Sequence, residues 1–191
     1  MPRTPPSSSS ITSAPVARSI PHWGHAGTPL GPMVLAATTA GLCGAWFAGQ
    51  KHFGGPSPDW IHDEDHPLLV SARAQLDDWF GGRRHDFDLP LAPRGTPFQQ
   101  AVWQTIRQVG HGRTLGYGAA AAQVGRPSAS RAVGAATGRN PLSLLVPCHR
   151  LVAASGALTG YAGGLARKAW LLDFEQGIRR PFDAASVEAA S

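Results

Sequence analysis

Cysteine is scarce in this chain: two in 191 residues, Cys43 and Cys148, far apart in the sequence. Two thiols exclude a disulfide framework and a cysteine-rich zinc module, and they point to a reducing compartment. Negative charge is also in deficit, with 12 Asp+Glu against 17 Lys+Arg and a net charge of +5. That balance favours a polyanionic partner but does not separate nucleic acid from an anionic membrane surface. Long hydrophobic runs are missing. The most apolar stretch, Met33 to Ala48, is broken by Thr38, Thr39, Gly41 and Gly44, and is too short to span a bilayer. The Pro/Ser-rich start, Met1 to Pro15, has no apolar core of a secretory signal. These absences predict a soluble, cytoplasmic protein without a cofactor. A mixed metal site drawing on Cys43 and some of His22, His25, His52, His62 or His66 has no supporting spacing, so no metal is expected.

Glycine (23) and proline (17) are plentiful, so loops are many, while 42% hydrophobic residues suffice for a core. Residues 1–28 read as a disordered leader. Two β-like runs, Met33–Ala37 and Leu42–Ala48, flank Thr38–Gly41 and predict a hairpin. Leu68, Leu69, Ala72, Leu76, Trp79 and Phe80 recur at helical spacing up to Gly81-Gly82. Phe87, Leu89 and Leu91 alternate as in a short strand. Together these form a small α/β unit over 29–93.

A second, helical part is expected over 94–178, with 179–191 as a flexible tail. Thr96 and Gln99 fit a capping box with Pro97 at the first helical position. Phe98, Ala101, Val102, Ile106 and Val109 then form one apolar face. An alanine-rich helix over 116–124 is closed by Gly125, and Arg126-Pro127-Ser128 opens another that ends at Gly138. The pair has the proportions of a helix-turn-helix. Its second helix carries Ser128, Ala129, Ser130, Ala132, Gly134, Ala135 and Ala136, with Arg131 the one long side chain in its middle. Small residues allow close approach to a duplex while one cation probes it; packing against a neighbouring helix is the competing explanation. Arg126, Arg131 and Arg139 together favour nucleic acid.

The chain is organised around 139–164. The apolar residues Leu142, Leu144, Leu145 and Val146 end at Pro147, which hands over to Cys148, His149 and Arg150. Proline stops a regular ladder and fixes the backbone before the thiol. The reactive form of cysteine is the thiolate, and neighbouring positive charge lowers its pKa. A buried structural cysteine is the alternative. The adjacent His and Arg favour a working nucleophile. Asn140-Pro141 is a turn signal placed to fix the cysteine loop against the preceding helix. Gly163 and Gly164 permit positive φ and close backbone approach, and Tyr161 is a candidate wall of the same pocket. In a last helix over 165–176, Glu175 falls on the stripe of Leu165, Ala169 and Leu172. A carboxylate there pairs with a partner, His149 by preference, or reaches to water. Pairing gives Cys148, His149 and Glu175 as nucleophile, base and orienting acid.

The run P-C-H-R followed by G-Y-A-G-G-L-A-R-K-A-W-L-L strongly resembles the O6-alkylguanine-DNA alkyltransferases, also called methylated-DNA–protein-cysteine methyltransferases. The likeness covers about Thr96 to Gly177 and extends more weakly to T-P-L-G-P-M-V-L-A, which is similar to the family's first strand. It implies an α+β protein: an N-terminal ribonuclease-H-like α/β domain and a C-terminal helical domain with a winged/helix-turn-helix DNA-binding motif. It also implies repair of O6-methylguanine, and in many members O4-methylthymine, by irreversible alkyl transfer to a cysteine after base flipping. By position Cys148 is then the acceptor, activated by His149 and Glu175 through a bound water, with Asn140 bracing the turn. Arg131 fills the gap left by the flipped nucleotide, and Tyr117 hydrogen-bonds the extruded base. Ser128, Ala129, Arg150, Tyr161, Ala162 and Gly163 complete the expected DNA- and substrate-binding set. The partner is double-stranded DNA containing an alkylated guanine, bound through the minor groove by a monomer, with no membrane involved.

Two positions depart from the family pattern. A pocket serine of some members is Ala162 here, and Gly116 replaces the usual serine before Tyr117, which weakens a helix cap. Competing readings are a thiol hydrolase or acyltransferase with the same Cys–His–Glu set, and a DNA-binding module that recognises lesions without repairing them. Cys148 argues against the module, and single-use stoichiometry would separate the hydrolase. A bifunctional adaptive-response protein needs a cysteine-rich zinc domain for which this chain has no cysteines.

Overall fold

The computed structural model describes residues 19–183. Most of the expected leader and the end of the expected tail lie outside them. The N-terminal half is built on a four-stranded sheet of β1 (His22–Ala26), β2 (Met33–Thr38), β3 (Gly41–Phe47) and β4 (Ile61–His62), in the order β3-β2-β1-β4. The expected hairpin is β2–β3, antiparallel, with Leu35 opposite Ala45 and a bulge between Ala36 and Ala37. All six residues of β2 are buried, which explains its unbroken apolar sequence. Helix α1 (Pro67–Phe80) packs on the sheet through Leu69, Ala72, Leu76 and Trp79. The His66 side chain caps it, and it ends at Gly81-Gly82 as its periodicity predicts.

Two expectations are corrected here. Residues 22–26, assigned to the leader, form an inner strand pairing antiparallel with β2 and parallel with β4. The sequence H-W-G-H-A has no apolar alternation; its neighbours supply the bulk. The strand expected at Phe87–Leu91 is reduced to a bridge between Leu91 and Leu42, with Leu42 N donating to Pro90 O (2.8 Å) and Ala92 N to Leu42 O (2.7 Å).

Helix α2 (Pro97–Arg107) begins with the full capping box, Thr96 Oγ1 accepting from Gln99 N and Gln99 Oε1 from Thr96 N. It packs with α3 (Tyr117–Gln123) and α4 (Ser130–Gly138), and a buried bond from Trp103 Nε1 to Ala136 O (2.9 Å) fixes α2 on α4. Arg126–Ala129 form the turn between α3 and α4, so the second helix starts two residues later than Ser128. Strands β5 (Leu115–Gly116) and β6 (Leu151–Val152) make a short parallel pair, and α5 (Leu165–Glu175) closes the chain.

The two halves meet along β3. Ala45 N donates to Pro141 O and Ser143 N donates to Ala45 O, both at 2.8 Å, so the segment leading to Cys148 lies on that strand as a short extra rung. Buried Gln50 reinforces the contact: its Oε1 accepts from Ser143 Oγ (2.8 Å) and Phe47 N (3.2 Å). From the other side Arg167 of α5 lies over the Phe47 ring (4.7 Å) and donates to Leu30 O and Gly163 O. No helix among the described residues is long and apolar enough to cross a membrane.

Candidate active site

Cys148, His149 and Arg150 form one 3-10 turn at the end of a tightly held loop, and all three are buried. The loop is organised by Asn140. Its Oδ1 accepts from Leu142 N (3.0 Å), and its Nδ2 donates to Val146 O (2.9 Å) and to Cys148 Sγ (3.1 Å). Leu144, at the apex, has φ of 71°, a left-handed conformation that is costly for a leucine and is held by this network. The sequence placed Asn140 as a brace, and the structure brings it into contact with the thiol itself.

Behind Cys148 lies a charged core. Glu175, the last residue of α5, is buried and accepts from His149 Nε2 (2.8 Å), from Arg150 Nε and Nη2, and from Gly112 N (2.9 Å). Of the two outcomes the sequence left open for Glu175, the structure has the paired one. Burial works against its charge, yet the bonds from His149 and Arg150 outweigh it and hold the carboxyl down at about 2. Burial is the dominant influence on His149 and lowers its pKa despite Glu175. The pair is therefore an ionised carboxylate and a neutral imidazole. A carboxylate can only accept, so the imidazole proton is on Nε2 and Nδ1 keeps its lone pair. Nδ1 is buried and has no hydrogen-bond partner among the described residues.

Arg150 corrects an expectation. Assigned to DNA or substrate binding, it is instead buried, forked onto Glu175, with Nη1 donating to Val109 O. Nor is the thiol lowered by its two neighbours in sequence, since His149 is neutral and Arg150 is committed to Glu175. Burial pushes Cys148 up from the usual thiol value; the Asn140 hydrogen bond and the charge of Lys168 oppose that rise.

Lys168 is the residue that sequence reasoning missed. It lies on α5 and is fully buried, with Nζ donating to Leu151 O (2.5 Å) and Thr159 O (2.7 Å). Burial brings it down to about 8, and it lies 5.8 Å from the centre of the Tyr117 ring. Gly112 was also missed. It takes φ of 69° and aims its amide at Glu175.

Around the thiol, Tyr161 is buried edge-on to His149, with ring centroids 6.4 Å apart. Burial raises its phenol well above the usual range; Ser143 is close enough to oppose that rise, but the hydroxyl makes no hydrogen bond of good geometry. Tyr117 is half-buried, its hydroxyl shared between Thr159 O (3.1 Å) and Gly160 O (3.3 Å), so offering its proton to a base requires a change of partner. Gly163 is needed for space rather than for φ: a Cβ there would lie 2.7 Å from the Tyr161 ring. Positive φ belongs to Gly164, at 92°. Ala162 is half-buried, and its carbonyl accepts from Lys51 N (2.9 Å). A cavity of about 350 Å³ borders Pro147 and Arg150 but not Cys148, Tyr117 or Tyr161, so it is not the pocket of the thiol.

Ser128 and Arg131 stand apart from this centre, exposed on the helix-turn-helix beside the exposed Ala132, Ala135 and Arg139, while Ala129 is half-buried. Val133, Ala136 and Thr137 take the inner face of α4. The small residues thus serve both readings, packing inward and leaving a low outer surface with one long cation.

Two family models match the chain: the ribonuclease-like domain of 6-O-methylguanine DNA methyltransferase over residues 22–93, and the DNA binding domain of the same family over 97–177. The methylated-DNA–protein-cysteine methyltransferase of Methanosarcina acetivorans is 43% identical over 149 residues, covering 78% of this chain and 94% of the relative. The constitutive enzyme of that name from Bacillus subtilis is 41% identical over 156 residues, covering 78% and 92%. Among solved structures, Mycobacterium tuberculosis OGT in complex with DNA superposes with a TM-score of 0.75 at 39% identity, over 82% of this chain and 94% of that one.

Proposed function

The chain belongs to the methylated-DNA–protein-cysteine methyltransferase family, and we propose that Cys148 is its acceptor, with His149 as the base. It is a DNA-repair enzyme that removes the methyl group of O6-methylguanine onto a cysteine. The observation that carries the residue assignment is the order Cys148, His149, Glu175, in which an ionised carboxylate fixes Nε2–H and leaves His149 Nδ1 free to accept a proton. The resting thiol, raised by burial, gives that proton to Nδ1, through an intervening water as in the family resemblance. Sγ then attacks the methyl carbon as the C–O6 bond breaks. The electron pair leaves on the guanine, and hydrogen bonds from Tyr117 and the backbone near Ala162 meet it. The thioether cannot be reversed, so each molecule acts once.

A methyl group inside a stacked duplex is out of reach of a buried thiol. The base is therefore flipped, at a cost of a few kcal/mol. The exposure of Arg131 on α4 among small residues supports its entering the stack, and the low outer face suits the minor groove. The protein acts as a cytoplasmic monomer on double-stranded DNA, and O4-methylthymine is a second candidate substrate. Intact-mass spectrometry after mixing with a duplex carrying one O6-methylguanine tests this. A gain of one methyl mass mapping to Cys148, absent in Cys148→Ser and with an unmodified duplex, is expected. No gain, or a gain on another residue, would refute the assignment.

A further inference from the structure

Composition gave no reason to expect a metal, yet the fold gathers three ligand atoms at the outer edge of the N-terminal sheet. His25 comes from β1, His62 from β4, and Glu64 from the connection into α1. Glu64 Oε1 lies 2.8 Å from His25 Nδ1 and 2.9 Å from His62 Nε2, and all three atoms lie within 4.8 Å of one another. In a tetrahedral zinc site, with ligand bonds of about 2.0–2.1 Å, the ligand atoms are about 3.3 Å apart. Reaching that spacing requires the side chains to rotate, and all three are exposed enough to do so, at 56%, 53% and 40%.

The triad is also oriented. Arg73 Nη1 holds Glu64 Oε2 (3.0 Å) and His25 O (3.2 Å), and Nη2 binds Glu64 O, so Oε2 is occupied and Oε1 is turned toward the imidazoles. His25 N also donates to the carboxylate (3.1 Å). The Trp23 ring lies against both imidazoles, its centroid 5.1 Å from that of His25 and 4.5 Å from that of His62. These contacts do for the ligands what outer partners do in built metal sites: they hold the two ring nitrogens and Oε1 facing one another.

We propose that His25, His62 and Glu64 bind one divalent transition-metal ion, of the zinc class, that clips β1 to the β4–α1 connection. Two imidazole nitrogens and one carboxylate oxygen suit zinc, nickel or copper rather than magnesium or calcium. Water completes the coordination. On binding, the ion takes the position of the protons now shared with Oε1. In the bound state each ligating ring carries a proton only on its other nitrogen. The nearby cation is Arg73, already committed to Oε2; of the other nearby imidazoles, His22 pairs with Asp63 and His66 caps α1.

The test uses the full chain stripped with a chelator and titrated with zinc and with cobalt(II). One equivalent is expected to bind, raising the thermal midpoint by several degrees, since a ligand bound only by the folded state stabilises it. Cobalt is expected to give visible ligand-field bands without sulfur charge transfer, which excludes Cys43 and Cys148 as ligands. His62→Ala and Glu64→Gln are each expected to weaken binding by roughly tenfold or more. His25→Ala, on a different strand, gives an independent reading should His62→Ala disturb β4, and methyl transfer by each variant checks that it is folded. Absence of binding, a thiolate-type cobalt spectrum, or undiminished affinity in these variants would overturn the proposal. None of these readouts depends on the assignment of Cys148.

Discussion

His149 Nε2 lies 2.8 Å from Glu175 Oε1, and that contact sets the tautomer of the imidazole. Because the carboxylate can only accept, it fixes the imidazole tautomer and leaves Nδ1 as the basic atom of a neutral ring. Arg150 and Gly112 hold the carboxylate, so the base is positioned from the loop after α2, the cysteine turn and α5 at once.

Acid stability follows from the same pair. His149 has a folded pKa below its ordinary 6.5, so the unfolded chain takes up its proton first, and stability starts to fall as pH drops through 6.5. Glu175 goes from an ordinary 4.5 to about 2 on folding. Its contribution is full above 4.5 and is lost as pH falls toward 2. Urea unfolding of wild type at stepped pH is expected to show both losses, with the second much reduced in Glu175→Gln. A wild-type stability flat from neutral pH to about 3 would contradict the buried ionised pair.

Asn140→Ala removes the bonds to Val146 O and Cys148 Sγ and frees the strained Leu144 turn. Leaving these buried groups unpaired is expected to cost about 1–3 kcal/mol in denaturant unfolding. Methyl transfer should slow as well, because the thiol loses its one side-chain hydrogen bond. Unchanged stability and rate would remove Asn140 from the site.

Lys168→Met deletes the charge that opposes the raised pKa of Cys148. The pH at which iodoacetamide alkylates Cys148 at half its maximal rate is expected to move upward. A midpoint that stays put, or moves down, would show that Lys168 does not act on the thiol.

Arg131→Ala tests recognition apart from chemistry. Transfer from a duplex is expected to fall by roughly tenfold or more, because flipping loses the side chain that fills the stack. Transfer from free O6-methylguanine base should be unaffected. Binding to undamaged duplex should weaken steeply with salt, as phosphate contacts require. Equal losses on duplex and free base would place Arg131 in the chemistry or the fold instead.

Much of this was legible in the chain. The capping box at Thr96 and Gln99, the α1 stripe and the β2–β3 hairpin depend on neighbours within a few residues, where sequence pattern and structure coincide. Glu175 was legible as a candidate because it falls on an apolar stripe, but its position at the helix end left pairing with His149 and reach to water both open. Less legible were features made by distant contacts. β1 has no apolar alternation and exists because β2 and β4 flank it. Lys168 reads like any helix lysine, since lysine ordinarily reaches to water, and its burial comes only from the carbonyls of Leu151 and Thr159. Arg150, expected in the DNA- and substrate-binding set, is turned inward to Glu175 by a contact 25 residues away in sequence.

The most direct test of the His149 assignment is the single-turnover rate of methyl transfer from an O6-methylguanine duplex, measured from about pH 5 to 9 in wild type and Glu175→Gln. If neutral His149 takes the proton from Cys148, the wild-type rate falls only below the ordinary imidazole value of 6.5 and is level above it. Glu175→Gln then lowers the level part by roughly a hundredfold while duplex binding persists. A wild-type rate that climbs tenfold per pH unit through neutrality, matched by Glu175→Gln, would mean that free thiolate attacks without the histidine and would contradict the account.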